Sequence, residues 1–229
     1  MIRKILVPSA VLVASTVAGT GTAEPGAASP PAPAPAPTTA AAAGPPAASA
    51  CTPVPGEAMQ SVLLVGDSSV GFHDGLSRGL ELQLKPRGAT FSGEPYSSFG
   101  IQAFANLDKW QTVMKQRKPK LVIVSLGMNN VYSAKPQELA SSIKAIVSKI
   151  QPLECVWVAP PIWRGENGLL DVLKKNTAPC RYFDSNRMKI ERGPDKIHPS
   201  NKGGEAWAEA IVKYLTQCVE PGAPPPPSH

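Results

Sequence analysis

Apolar positions along this chain switch repeatedly between two periods. Ser61–Gly66 is a short continuous apolar run, the pattern of a strand covered on both faces in a parallel sheet. Gly71–Leu84 then places Phe72, Leu76, Leu80 and Leu84 at helical spacing. Ala89–Gly93 is a weaker strand, and Ile101–Lys115 reads as one helix through Ile101, Phe104, Leu107, Val113 and Met114. Leu121–Leu126 is the strongest strand signal. Pro136–Ile150 follows as a helix with proline in its first turn and Leu139, Ile143, Ile146, Val147 and Ile150 on one stripe. Cys155–Ala159 predicts a strand, Gly168–Lys175 a short helix and Arg181–Asp184 a short fifth strand. Asn201–Leu215 closes the pattern as a helix with Trp207, Ala210, Ile211 and Leu215 on one face. Such alternation predicts an α/β fold, a parallel sheet with helices on both faces. Sites in such sheets gather at the carboxyl ends of the strands.

The ends of the chain depart from this pattern. Arg3 and Lys4 precede a mostly apolar stretch, Ile5 to Ala18, too short for a comfortable membrane span, with small residues up to Ala23. Residues 1–23 are therefore read as a secretory signal peptide, the alternative being an uncleaved N-terminal anchor. Residues 24–50 are almost all Ala and Pro, with Gly, Ser and Thr and no large apolar side chain to bury, the composition of a disordered, semi-rigid linker. Residues 220–229 form a second, proline-rich tail. The intervening residues 51–219 are long enough for one domain with its own core.

Composition adds two constraints. The net charge of +6 includes Arg3 and Lys4, and the rest is scattered. The cluster Lys115, Arg117, Lys118 and Lys120 bridges a helix end and a strand start and reads as a solvated face, with at most a weak attraction to an anionic envelope polymer. No nucleic-acid partner is expected, nor a transmembrane span in the mature chain. The four cysteines of an exported chain predict two disulfides. Of the three possible pairings, Cys51–Cys218 clasps the domain's ends, and Cys155–Cys180 joins the starts of two neighbouring parallel strands. Ala48-Ser49-Ala50-Cys51 has a faint lipobox character, but the proline-rich spacer separates it from the apolar region. No Cys/His cluster has metal-ligand spacing, and no cofactor is implied.

Four short segments carry candidate chemistry. Gly66-Asp67-Ser68-Ser69 follows the first strand, where Ser68 sits at a strand end before a helix and is the candidate nucleophile. The structural alternative is that Asp67 and Ser68 cap that helix. Asp195-Lys196-Ile197-His198 precedes the last helix. A serine hydroxyl needs a base within hydrogen-bond reach, and His198 is the choice, because His229 lies in the tail and His73 in the first helix. Asp195, three residues earlier, is placed to accept a proton from one ring nitrogen and leave the other facing Ser68. Pro199 stiffens this loop, with Ser200 or Asn201 as the helix cap. Gly127-Met128-Asn129-Asn130 follows the strongest strand, and the Asn129 amide is a candidate donor to a developing oxyanion, although Gly-x-Asn-Asn is also a common turn. The fourth segment is the isolated Gly100.

The order Ser, Gly, Asn, Asp-x-x-His over roughly residues 60 to 217 resembles the SGNH (GDSL-like) hydrolase family. The resemblance implies a three-layer α/β/α, flavodoxin-like fold with a five-stranded parallel sheet. It also implies that the backbone N–H groups of Ser68 and Gly100 join Asn129 in the oxyanion hole, with Gly93 a competitor for the glycine. The chain departs from the family pattern at Asn130, where Asp is common, and at Ser69, where Leu is common.

These readings converge on a secreted serine esterase acting on short acyl esters, such as O-acetyl groups of envelope or extracellular polysaccharide. Ser68, His198 and Asp195 would carry catalysis. Trp163 is placed to stack on a sugar or to pack over its loop. Asn130, Tyr132 and Phe72 are further candidates for the wall of the substrate site. An O-acetyltransferase using the same site and a non-catalytic glycan-binding module are the alternatives.

Overall fold

A computed structural model describes residues 51–71 and 74–222. The expected signal peptide and Ala/Pro linker, Phe72, His73 and residues 223–229 of the tail lie outside the described residues.

Five strands form one sheet: β1 Ser61–Gly66, β2 Thr90–Pro95, β3 Leu121–Ser125, β4 Glu154–Val158 and β5 Arg181–Phe183. Their order is β2-β1-β3-β4-β5, and every pairing is parallel. This is the flavodoxin-like order, whose switch point lies between β1 and β3. Among the described residues six α-helices flank it: α1 Gly75–Leu84, α2 Ile101–Ala105, α3 Lys109–Arg117, α4 Ala140–Ile150, α5 Leu169–Asn176 and α6 Asn201–Gln217.

The continuous apolar runs have the expected cause. Successive side chains of a strand point to opposite faces. On β1, Leu63 and Val65 enter a core with Val122, Val124, Phe104, Trp110, Ile143 and Ile146, beneath α2 to α5. Val62 and Leu64 enter the other core with Ile123, Leu76, Leu80, Trp207 and Ile211, beneath α1 and α6. A strand covered on both sides has no polar face to show, so the run reads as apolar throughout.

One expected element divides. The helix predicted over Ile101–Lys115 is two helices, α2 and α3, separated at Asn106–Asp108. Asn106 and Asp108 have side chains that compete for backbone partners and favour helix ends. The break also lets Trp110 swing back: its indole stacks on Phe104 at 5.1 Å and donates to the Phe104 carbonyl at 3.2 Å. Burying that indole with a satisfied N–H outweighs continuing the helix.

Two contacts fix the end of the sheet where the candidate residues gather. α1 and α6 cross so closely that a side chain at Gly204 would overlap the Gly75 carbonyl. A side chain at Gly203 would overlap the Glu191 carbonyl, at the base of the loop that carries Asp195 and His198. The Ser200 hydroxyl caps α6 by accepting from the Gly203 N–H at 3.0 Å, and the Asn201 side chain accepts from the Gly75 N–H at 3.3 Å. The glycine pair and these caps thus seat the last loop against the turn that follows β1.

Both expected disulfides are formed, Cys51–Cys218 with a Cα separation of 5.7 Å and Cys155–Cys180 with 4.8 Å. The first joins positions 167 residues apart, a closure worth about 5 kcal/mol in the chain-entropy view.

Candidate active site

β1 ends at Gly66, and Asp67 opens a single 3₁₀ turn, Ser68–Val70. That turn presents Ser68 at the carboxyl edge of the central strand. The loop Glu191–Ser200, which leads into α6, reaches it through His198. This loop is a small hairpin: Arg192 and Pro199 bridge antiparallel, Gly193 N–H donates to the His198 carbonyl at 2.8 Å, and Ser200 N–H donates to the Glu191 carbonyl at 3.0 Å. Lys196 takes a left-handed φ of +59° at its tip.

The hairpin carries Asp195 and His198 into line with Ser68. His198 Nε2 lies 2.9 Å from Ser68 Oγ, and His198 Nδ1 lies 2.6 Å from Asp195 Oδ2. Asp195 Oδ1 accepts from the backbone N–H groups of Ile197 at 2.9 Å and His198 at 3.0 Å. The loop therefore folds onto its own carboxylate, and the imidazole is aimed by it. The His198 side chain first, then the two N–H groups, hold the Asp195 carboxyl down at about 2. It is thus ionised throughout the pH range in which an imidazole titrates. The Nδ1–H···Oδ2 contact leaves Nε2 as the acceptor facing the serine, the arrangement that proton abstraction requires.

Asp67 joins the other half of the site. It is fully buried. One oxygen accepts from Ser69 N–H at 3.1 Å and Ser69 Oγ at 2.7 Å; the other accepts from Gly127 N–H at 3.0 Å and Met128 N–H at 2.9 Å. One carboxylate thus binds the nucleophile turn to the turn after β3. Burial pushes its pKa up, and the four donors oppose that shift. The capping alternative is therefore true of Asp67, while Ser68 remains free to face His198. Ser69, a departure from the family pattern, is buried and serves Asp67 through its hydroxyl.

From Gly127 the turn runs to Asn129 and Asn130. Gly127 has φ +130° and packs against Pro160, a conformation that favours glycine. Asn129 Nδ2 donates to the Phe99 carbonyl at 3.0 Å, which sets Asn129 beside Gly100. Asn130 has both ends of its amide engaged: Oδ1 accepts from Ile101 N–H at 2.9 Å, and Nδ2 donates to Gln102 at 3.2 Å. Gly100 packs directly on that Asn130 amide as the residue that begins α2. Gly93, the competitor, lies inside β2 and packs on Ser77. The structure thus links Ser68, His198 and Asp195 in one chain of contacts, and it places Asn129 on a turn that Asp67 ties to the Ser68 turn, with Gly100 packed against Asn130 of that turn.

A cleft of about 480 Å³ opens at Ser68 and His198. Among the described residues its walls are Ser69, Gly71, Asp74, Gly75, Pro95, Ser97, Asp195 and Pro199, with no large aliphatic or aromatic side chain among them. Trp163 lies apart from this cleft. It is half-buried against the core and meets Tyr132 edge to face at 6.2 Å. Among the described residues no cluster of His, Cys, Asp and Glu could hold a metal ion, and no helix is long and apolar enough to cross a membrane.

Arg192 is a functional candidate that sequence reasoning missed. Its guanidinium donates to the carbonyls of Pro161 at 2.9 Å and Ile162 at 3.0 Å, and to that of Ile197. Burial lowers its pKa, and the Asp195 charge opposes the shift. It pins the Asp195–His198 hairpin to the loop after β4. An arginine before a turn carries no periodicity and no motif, so nothing in the chain marks it. Losing such charge-assisted bonds costs about 1.5–3 kcal/mol. Replacing Arg192 by Gln is expected to lower kcat about 10- to 100-fold with KM within about twofold, because the imidazole loses its aim. Lys should restore part of the loss. Steady-state kinetics beside thermal melting of both variants checks this; equal losses in Gln and Lys, tracking melting temperature alone, would contradict it.

No family model matches the chain, and no curated protein matches its sequence. Solved structures do match. Est24, a carbohydrate acetylesterase from Sinorhizobium meliloti, is 17% identical with a TM-score of 0.57, over 68% of this chain and 98% of that one. The acetyl xylan esterase AlAXEase is 16% identical with a TM-score of 0.55, over 67% and 98%. A lipase/acylhydrolase from Enterococcus faecalis is 14% identical with a TM-score of 0.54, over 70% and 98%. The chain therefore has the SGNH-hydrolase α/β fold of these neighbours.

Proposed function

We propose that this chain is an exported serine esterase that removes short acyl groups, acetyl foremost, from a carbohydrate. The observation that carries the reading is the line Asp195–His198–Ser68, with contacts of 2.6 and 2.9 Å. Ser68 Oγ attacks the ester carbonyl while His198 Nε2 takes its proton, and Asp195 stabilises the imidazolium. The tetrahedral oxyanion is met by the Ser68 and Gly100 N–H groups and the Asn129 amide. His198 then gives its proton to the departing alcohol oxygen, leaving acyl-Ser68. Water attacks that ester with His198 again as base, and the carboxylic acid leaves.

The cleft supports the short acyl group. Among the described residues its walls carry no large aliphatic or aromatic side chain, so a long alkyl chain would bury less there than in a pocket lined by such residues. The carbohydrate side rests on the neighbours described as carbohydrate acetylesterase and acetyl xylan esterase. Export rests on the N-terminal segment and on two disulfides, which persist in oxidising compartments.

A chain-length series of p-nitrophenyl esters tests the reading. Acetate should be hydrolysed about tenfold faster, in kcat/KM, than octanoate, since the chain gains little from an unburied tail. A rate rising with chain length would contradict the short-acyl assignment. Transfer of acetyl to an added glycan without free acetate would favour the transferase.

A further inference from the structure

We infer that Tyr132, Trp163 and Arg164 form a sugar-acid subsite, a ledge that receives a carboxylated pyranose of the acylated glycan. The inference rests on the esterase reading for its place in a reaction, though not for its binding chemistry.

Three large apolar side chains are exposed among the described residues: Leu82, Tyr132 and Val219. Leu82 lies on α1 and Val219 follows α6, whereas Tyr132 lies in the loop after β3, two residues beyond Asn130. Its ring is 65% exposed and held at one edge by Trp163. The Arg164 guanidinium lies 4.3 Å from the centre of the Tyr132 ring. Asn167 Nδ2 donates to the Ser133 carbonyl at 3.4 Å, a second tie between the β3 and β4 loops beside the Tyr132–Trp163 contact. The aromatic surface is thus fixed before any ligand arrives.

The charge makes the ledge selective. Arg164 is exposed and has no ion pair among the described residues. The nearest acid in sequence, Glu166, turns away and accepts the N–H groups of Leu169 and Leu170 at the start of α5. A guanidinium stacked on a ring keeps its edge N–H donors in its own plane, where a carboxylate can take two of them. Next to an exposed tyrosine face, which suits the C–H face of a pyranose, that fork selects a sugar bearing a carboxylate.

Position fits the reaction. Parallel strands stand about 4.8 Å apart, so the end of β4 lies roughly 10 Å from the end of β1 and Ser68. The ledge rises from the same carboxyl edge of the sheet on the β4 side, while the cleft at Ser68 is lined from the β2 side by Pro95 and Ser97 and is left for the acyl group.

The test separates binding from turnover. Calorimetry with the full chain compares pentagalacturonic acid with xylopentaose. The acidic oligomer is expected to bind about tenfold tighter, the worth of a charge-assisted pair. Arg164→Gln should erase that preference, and Tyr132→Ala should weaken both ligands. In turnover, Arg164→Gln should lower the ratio of kcat/KM on O-acetylated polygalacturonate to that on acetylated xylan about tenfold. Equal affinity of the wild type for the two oligomers, or an unchanged ratio in Arg164→Gln, would overturn the subsite. Acid-selective binding without ester turnover would keep the subsite and overturn the esterase reading.

Discussion

Replacing Ser68 by alanine lowers p-nitrophenyl acetate hydrolysis by about 10⁴-fold or more, and His198→Ala gives a loss of the same order. The two losses do not add. Ser68 Oγ and His198 Nε2, 2.9 Å apart, act as one unit, so the double variant is expected to match either single one. Neither change should disturb the fold. Ser68 meets the cleft, and the hairpin that carries His198 is held by its own backbone bonds and by Arg192. Parallel melting curves would separate lost chemistry from lost structure. Asp195→Asn should cost about 10⁴-fold as well, with the fold intact: the loop keeps its N–H partners, but an amide NH₂ facing Nδ1 puts the imidazole proton on Nε2 and no longer stabilises an imidazolium.

The second large effect comes from a residue that never meets substrate. Asp67→Asn is expected to lower kcat about 100-fold while costing about 1–3 kcal/mol of stability. Each of its oxygens accepts two hydrogen bonds, from Ser69 on one side and from Gly127 and Met128 on the other. An amide must turn its NH₂ towards one of those donor pairs, so donors face donors inside a fully buried site. The turn carrying Asn129 then separates from the turn carrying Ser68, and the oxyanion donors lose their aim. The sign with pH follows. Because burial raises the folded pKa of Asp67, its ionised form opposes folding at neutral pH. That cost is absent from Asp67→Asn and partly offsets its loss of stability, but not its loss of rate. Kinetics and denaturant unfolding of this variant measure the two separately; a fully active Asp67→Asn would contradict the role.

Much of this was legible in the chain because strong local signals agreed with the tertiary solution. The apolar runs of β1 and β3 reflect burial on both faces. The turns that end them carry Ser68 and Asn129, while Asp195 and His198 stand out as an acid and a base three residues apart just before the last helix. The break between α2 and α3 was not legible. It arises from Trp110 folding back onto Phe104, a contact that helical periodicity cannot encode. Arg192, and the reach of Asp67 beyond its own cap to the turn after β3, escaped for a related reason. Their partners, at Gly127 and Met128 or at Pro161 and Ile162, are backbone groups far along the chain, and a backbone group leaves no mark on sequence. Asn130 shows the reverse: a position in a conspicuous motif whose amide is engaged by Ile101 and Gln102 within the protein.

The central claim is that Ser68 is the activated nucleophile, and a fluorophosphonate ester tests it most directly. Incubated with the intact protein, it should add one phosphonyl group, which peptide mass mapping places on Ser68. Labelling should fall steeply in His198→Ala and vanish in Ser68→Ala. A label on another residue, or labelling of wild type and His198→Ala at the same rate, would contradict the account.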